Sequence, residues 1–264
     1  TLMQETWHRL KKNKGAMIGL GFLVMLVLLA LLAPVIFDYE TDIIGQNISE
    51  RLMKPCKEHW FGTDEVGRDL FARVIWGARY SLIIGVGAVM LGLFVGLITG
   101  SLAGFYGGIV DTLLMRAIDI FYSIPNIMTA VVIVSVLGTS TVNLVIALAF
   151  SCASSFGRIV RAQVMTIRDQ EYVESSYAMG LPTWKIIVKH ILPNCLSPII
   201  VQITLLIGST IISASSLSFL GIGIPAPSPE WGALLSAGRS HIRDASYMCV
   251  IPGLAVMLTV LALN

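Results

Sequence analysis

Ser81-Leu-Ile-Ile-Gly85-Val-Gly-Ala-Val-Met90-Leu-Gly-Leu-Phe-Val95-Gly-Leu-Ile-Thr-Gly100-Ser-Leu-Ala-Gly104 contains no charge and no proline, and polar residues do not alternate with apolar ones. It lies in a charge-free tract that runs from Tyr80 to Val110. The hydrocarbon core of a bilayer takes about 20 apolar residues per helical span. Four further charge-free tracts cover Gly15 to Phe37, Ile120 to Gly157, Ile191 to Pro229 and Ala245 to Asn264. The 120–157 tract is too long for one span and needs a break, which Gly138-Thr-Ser-Thr-Val-Asn143 supplies. The reading is an all-α polytopic membrane protein with about six transmembrane helices, at about 15–37, 80–104, 112–136, 142–162, 195–221 and 246–264.

Composition excludes the alternatives. Of 264 residues, 55% are hydrophobic and 13% charged, and the mean hydropathy is +0.80. Soluble domains carry roughly 25% charged residues, so this chain lacks the polar groups to cover a water-facing surface. A β-barrel would need alternating segments of about ten residues, which are absent. The first apolar tract is too long for a signal-peptide core and has no small-residue cleavage site. The last stops at Asn264 without a polar tail, which predicts that the native chain continues. A net charge of +2 gives no basic footprint for nucleic acid. Cys56, Cys152, Cys195 and Cys249 show no paired spacing; three lie in or beside apolar spans, and Cys56 falls in a polar loop.

Arg9, Lys11, Lys12 and Lys14 precede the first span, and the next basic residue is Arg51. The positive-inside rule then places the N-terminus in the cytoplasm. The expected organisation is a cytoplasmic tail at 1–14, a first transmembrane helix at 15–37, and an extracytoplasmic loop at 38–79 with an interfacial helix. A core transmembrane domain follows at 80–264, with a cytoplasmic loop at 163–194. In the outer loop, Thr63 or Asp64 can cap a helix. Leu70, Val74 and Ala78, with Phe71 and Ile75, then form an apolar face. This predicts an amphipathic helix in the outer interface that turns into the second span. Phe61, Gly62, Thr63, Asp64, Gly67, Arg68 and Asp69 serve there either as a docking surface or as a structural anchor.

The inner loop reads Glu171-Tyr-Val-Glu-Ser-Ser-Tyr-Ala-Met-Gly-Leu-Pro-Thr-Trp-Lys-Ile-Ile-Val-Lys-His-Ile-Leu-Pro-Asn194. Gly180, Leu181 and Pro182 stop a first helix. Thr183 is expected to cap a second, with Trp184, Ile187, Val188 and Ile191 on one face, Lys185 and Lys189 on the other, and Pro193 ending it. Glu174, Ser175, Ser176, Ala178 and Gly180 make a corner with small residues. It is either an ordinary loop folded against the membrane or a knob for a groove on a soluble partner.

These residues resemble the inner-membrane permeases of ATP-binding-cassette importers. That family's inner loop carries Glu-Ala-Ala, three residues, Gly, nine residues, then Ile-x-Leu-Pro. Here Glu174-Ser175-Ser176 stands three residues before Gly180, and nine more lead to His190-Ile191-Leu192-Pro193. Both alanines are serines, the first isoleucine is His190, and the spacing is intact. Phe61-Gly-Thr-Asp-Glu-Val-Gly-Arg-Asp69, Ala214-Ser-Ser-Leu-Ser-Phe-Leu-Gly-Ile-Gly-Ile-Pro225 and the following Pro-x-Pro-x-Trp-Gly run are similar to the second permease subunit of the dipeptide, oligopeptide and nickel branch. The resemblance implies a type I permease-like bundle with five core helices behind a peripheral first helix. It also implies a second homologous permease, two ATPase subunits and an extracytoplasmic substrate-binding protein as partners. ATP and Mg would sit on the ATPases, and this chain would bind no cofactor and no metal. The cargo would be a di- or oligopeptide, or alternatively nickel or a metallophore complex.

The residues agree on one point: no Gly-x-x-x-x-Gly-Lys-Ser/Thr loop occurs. Among rival classes, an ion-coupled secondary transporter needs ionisable groups near the midplane. Apart from Arg158 and Arg161 near the end of the 142–162 span, the spans carry Arg116 and Asp119, which their i, i+3 spacing reads as a structural pair. A hydrolase lacks any His-Glu-x-x-His or Gly-x-Ser-x-Gly. A channel lacks a carbonyl filter sequence or a mid-span acidic ring. Gly92, Gly96 and Gly100 are read as a face for close helix packing, with pathway lining as the alternative. The orientation predicts that a membrane-impermeant thiol reagent labels Cys56 but not Cys152 in intact cells. Labelling of Cys56 only after permeabilisation would reverse it.

Overall fold

The computed structural model describes residues 11–264, so Arg9 and most of the expected tail lie outside the described residues. The side chain of Asn13 accepts the backbone N–H groups of Gly15 and Ala16 and so starts α1 (Lys14–Ile36). The other helices are α2 (Leu70–Tyr106), α3 (Gly108–Tyr122), α4 (Asn126–Leu137), α5 (Thr141–Arg168), α6 (Glu171–Ala178), α7 (Thr183–Ile186), α8 (Leu196–Phe219), α9 (Trp231–Gly238) and α10 (Tyr247–Leu263). Among the described residues, four helical runs are long and apolar enough to span a bilayer, or five when α3 and α4 are taken as one broken span. The 17 residues of α10 are shorter, at the low end of what can cross. The all-helical class and the approximate span count agree with the sequence.

Three local readings need correction. The expected interfacial helix and second span are one continuous helix of 37 residues, about 55 Å long at 1.5 Å per residue. Nothing breaks it, because 70–106 contains no proline and its glycines are individually tolerated in a helix. Its N-terminal cap is Asp69, whose carboxylate accepts the Ala72 N–H at 2.9 Å, not Thr63 or Asp64. The expected span at 112–136 is bent by 85° between α3 and α4. Pro125 removes a backbone donor there and disfavours the helical region at Ile124. Pro193, by contrast, does not end a helix: a continuous apolar run extends from Thr183 to Phe219. A widened turn at Ile187–Ile191 and a tightened one at Leu192–Cys195 accommodate the missing donor.

The described chain forms two compact units. One comprises residues up to Gly85, 138–144 and 207–264; the other comprises 86–137 and 145–206. Trp231 is central to the first unit. Its ring is fully buried with Ala30, Leu70, Val74, Ala78 and Leu234, and its indole N–H donates to Val74 O at 2.9 Å. Beside it Glu230, also fully buried, accepts the N–H groups of Gly232 and Ala233 at 2.9 and 3.0 Å. It caps α9, and the Ser81 hydroxyl donates to it at 3.3 Å. The cap supplies the donors that a desolvated carboxylate requires.

The second unit is built on glycine. A methyl group added at Gly92 would lie 2.9 Å from Ala153 N, one at Gly96 2.9 Å from Gly157 N, and one at Gly100 2.6 Å from Gly157 O. The face is therefore filled by α5, and the alternative of an open pathway along it does not hold. Asp111 on α3 pairs with Arg161 on α5. Asp119 pairs with Arg158 at 2.7 Å rather than with Arg116, and the Arg158 guanidinium stacks 3.9 Å over Tyr122. Gly96→Val should therefore cost more than the 1–3 kcal/mol typical of overpacking, because backbone has to move. Gly21→Val, with open space around it, should be tolerated. Thermal unfolding of the two purified variants checks the contrast; equal melting temperatures would refute it.

Candidate functional site

The Glu174–Gly180 corner is a helix end built by local rules. Gly180 adopts φ +76°, its N–H donates to Tyr177 O at 2.8 Å, and the Leu181 N–H donates to Ser176 O at 3.3 Å. This is the Schellman arrangement, in which a left-handed residue reverses the chain and satisfies the last carbonyls of the helix. Pro182 then holds the extended conformation before α7. Thr183 is the first helical residue of α7 and makes no side-chain cap, contrary to the sequence reading.

Exposure divides the corner into two faces. Glu174, Ser175, Ala178, Gly180 and Pro182 are exposed, and Leu181 and Thr183 are half-buried. A Cβ added at Gly180 would meet nothing within 4 Å. Ser176 does not belong to the outward face: it is 2% exposed, beside the fully buried Val173, and its hydroxyl donates to Tyr172 O at 2.8 Å. Met179 and Tyr177, which the sequence reading did not single out, are 71% and 49% exposed. Their place beside a Gly-Pro helix stop was the available signal.

Two contacts fasten this corner to the end of α2. Tyr177 stacks on Phe105 with ring centroids 5.9 Å apart, and Arg168 at the end of α5 donates to Gly104 O at 2.9 Å. The Arg168 bond satisfies a carbonyl in the last turn of α2, where a cation also complements the helix dipole. The corner is thus joined to α2 by a ring contact and a hydrogen bond and not by backbone alone.

The Phe61–Asp69 motif is a buried knot. Thr63 is fully buried; its hydroxyl donates to Glu50 O at 2.5 Å and accepts from Met53 N at 2.8 Å. Asp64 is 3% exposed and accepts Val66 N, Arg68 N and Arg68 Nε, with Arg73 a further 3.5 Å away. Gly62 and Gly67 have positive φ and press on backbone of Met53 and Asn47 respectively. The Tyr247 hydroxyl donates to Thr63 O at 2.9 Å. Of the two sequence readings, this geometry supports the structural anchor. Only part of the motif faces solvent: Arg68 and Asp69 line a groove of about 820 Å³ with Glu40, Glu50, His59 and Trp60.

His59 lies between two carboxylates, 2.7 Å from Asp69 Oδ2 and 3.4 Å from Glu50 Oε2. The hydrogen bond to Asp69 chiefly raises its pKa above the ordinary 6.5; burial opposes this, and Glu50 adds to it. No sequence pattern joins these three positions; the chain reversal at Gly62 and Gly67 does.

Several helices long and apolar enough to cross a bilayer define a polytopic membrane protein. The model of the "binding-protein-dependent transport system inner membrane component" family matches residues 92–264, and that of the N-terminal transmembrane domain of oligopeptide transport permease C matches 1–55. The chain belongs to this family of transport-system inner membrane components. It is 43% identical to the dipeptide transport system permease protein of Alkalihalophilus pseudofirmus, over 99% of this chain and 85% of that one. It is 39% identical to the di/tripeptide transport system permease protein of Pseudomonas aeruginosa, over 99% and 88%. It is 37% identical to the glutathione transport system permease protein of Pectobacterium atrosepticum, over 100% and 87%. The inward-facing MetNI methionine ABC transporter shares the fold, with a TM-score of 0.59 and 21% identity over 72% of this chain and 91% of that one.

A raised histidine pKa stabilises the fold fully below the unfolded value of about 6.5, and the contribution is lost as pH rises through the folded value. Between about pH 6 and 8.5, the melting temperature of the protein should fall more than that of His59→Gln. Parallel curves would remove His59 as the cause.

Proposed function

We propose that this chain is one of two homologous permease subunits of an ATP-driven importer of di- or oligopeptides. It works with two ATPase subunits and an extracytoplasmic substrate-binding protein. Its N-terminus and the Glu171–Asn194 segment face the cytoplasm, and the 38–69 segment faces outward. The chain itself holds no cofactor; ATP and Mg act on the ATPases. The names of its relatives, which specify dipeptides, di/tripeptides and glutathione, support a short peptide as cargo.

The observation that carries the mechanism is the exposed corner from Glu174 to Gly180, seated on α2 through Tyr177–Phe105 and Arg168–Gly104. Closure of the ATPases on ATP displaces this corner, and the corner moves the spans between outward-open and inward-open arrangements. The energy is borrowed; the permease contributes geometry. At the outer face, the groove bounded by Glu50, His59, Trp60 and Asp69 presents carboxylates and an aromatic edge toward the binding protein.

Gly180→Trp tests the coupling. The open space around Gly180 means that a bulky side chain blocks a partner without a clash inside this chain. Positive φ adds strain of its own, about 1–2 kcal/mol, which a Gly180→Ala control carries equally. The tryptophan variant should reach the membrane at normal levels yet lose ATP-dependent peptide uptake and stimulation of the ATPases, while the alanine variant retains both. Normal coupled uptake in Gly180→Trp would reduce the corner to a folding element.

A further inference from the structure

A second groove on the same compact unit has no role in the coupling described above. Leu97, Ile98 and Leu102 of α2 line one side, and Trp184, Val188 and Leu192 line the other, around about 220 Å³. The walls face outward: Trp184 is 60%, Val188 54% and Ile98 47% exposed. Both walls belong to helical runs apolar enough to cross a bilayer, so the groove opens to lipid rather than to water.

Two observations identify what fills it. Trp184 stands at the last turns of α2 before Tyr106, at the end of a span, where indole rings settle at the boundary between acyl chains and headgroups. Lys185 and Lys189 follow Trp184 and Val188 by one residue each. The Lys185 ammonium lies 5.6 Å over the Trp184 ring. Their stems can run along apolar surface while the charges sit at headgroup level. Ser101 also borders the groove, with its hydroxyl shut away from it.

We propose that this groove is a binding site for an anionic phospholipid. One acyl chain lies against Leu97, Ile98, Val188 and Leu192, and the phosphate sits beside Lys185 and Lys189. The lipid then contacts both α2 and the segment that follows the Gly180 corner. It braces the joint through which the corner acts. Depth and chemistry define the site in whichever leaflet this segment faces.

The test uses the whole importer complex in nanodiscs with equal amounts of phosphatidylglycerol and phosphatidylcholine. A photoreactive benzoylphenylalanine replaces Val188, and mass spectrometry identifies the adduct after irradiation. The expected adduct carries the mass of phosphatidylglycerol, in roughly tenfold excess over phosphatidylcholine. Lys185→Gln combined with Lys189→Gln should bring that ratio toward one in complexes that still assemble. Excess glycerol 3-phosphate should not compete, because a headgroup without acyl chains does not fill the groove. Equal capture of the two lipids, a ratio unchanged by the lysine substitutions, competition by glycerol 3-phosphate, an adduct with a protein subunit, or no adduct would each overturn the proposal. A failure here would leave the Gly180→Trp experiment unaffected, since that reads ATPase coupling and not lipid capture.

Discussion

In hydrocarbon a backbone N–H or C=O without a partner costs several kcal/mol, and no water is present to repair it. Buried backbone outside the hydrocarbon carries a similar cost, and side chains or returning N–H groups meet it at three interruptions of the helices. Where Gly180 reverses the backbone, two N–H groups return to the carbonyls of the helix just ended. Between α4 and α5, the Asn143 side chain donates to Gly138 O and the Ser140 hydroxyl accepts Asn143 N, so the break is sealed by its own polar residues. Where α9 begins inside the protein, Glu230 supplies the acceptors. The polar side chains of an otherwise apolar sequence are concentrated where backbone would be left bare.

The same economy explains the two kinds of motif. The outer Phe61–Asp69 segment looks functional in sequence because it is rich in charge and glycine, yet most of its polar atoms are consumed internally. Asp64 alone receives three donors and stands near Arg73. The inner corner looks plainer, but its polar atoms are spent on shape while its outward face stays free. A segment whose hydrogen bonds close on themselves can present a rigid surface to a partner.

Close packing holds the second unit together. In a bilayer, apolar side chains gain nothing from leaving lipid, so helix association relies on intimate contact. Glycines at Gly92, Gly96, Gly100 and Gly104 let α5 approach the backbone of α2. The corner is attached at the end of that same helix through Phe105 and Gly104. Displacement at the corner thus acts on a pair of helices that cannot slide apart cheaply.

The sequence by itself determined the all-helical class, the approximate spans, the helix stop at Gly180-Leu181-Pro182 and the family resemblance. Each follows from local composition, residue spacing or the conformational limits of glycine and proline. It did not determine what each interruption would do: Pro125 breaks a span, whereas Pro193 lies inside a continuous helical run. A missing donor breaks a helix or is absorbed by altered turns according to what packs around it. Nor could it give the partners of charges far apart in the chain, such as Asp119 with Arg158 or His59 with Asp69 and Glu50. The i, i+3 spacing of Arg116 and Asp119 was a local cue that a non-local pair overrode. The burial of Ser176 and the exposure of Met179 were likewise decided by tertiary structure, because a helix of eight residues has too few turns for its sequence to fix which face its neighbours cover.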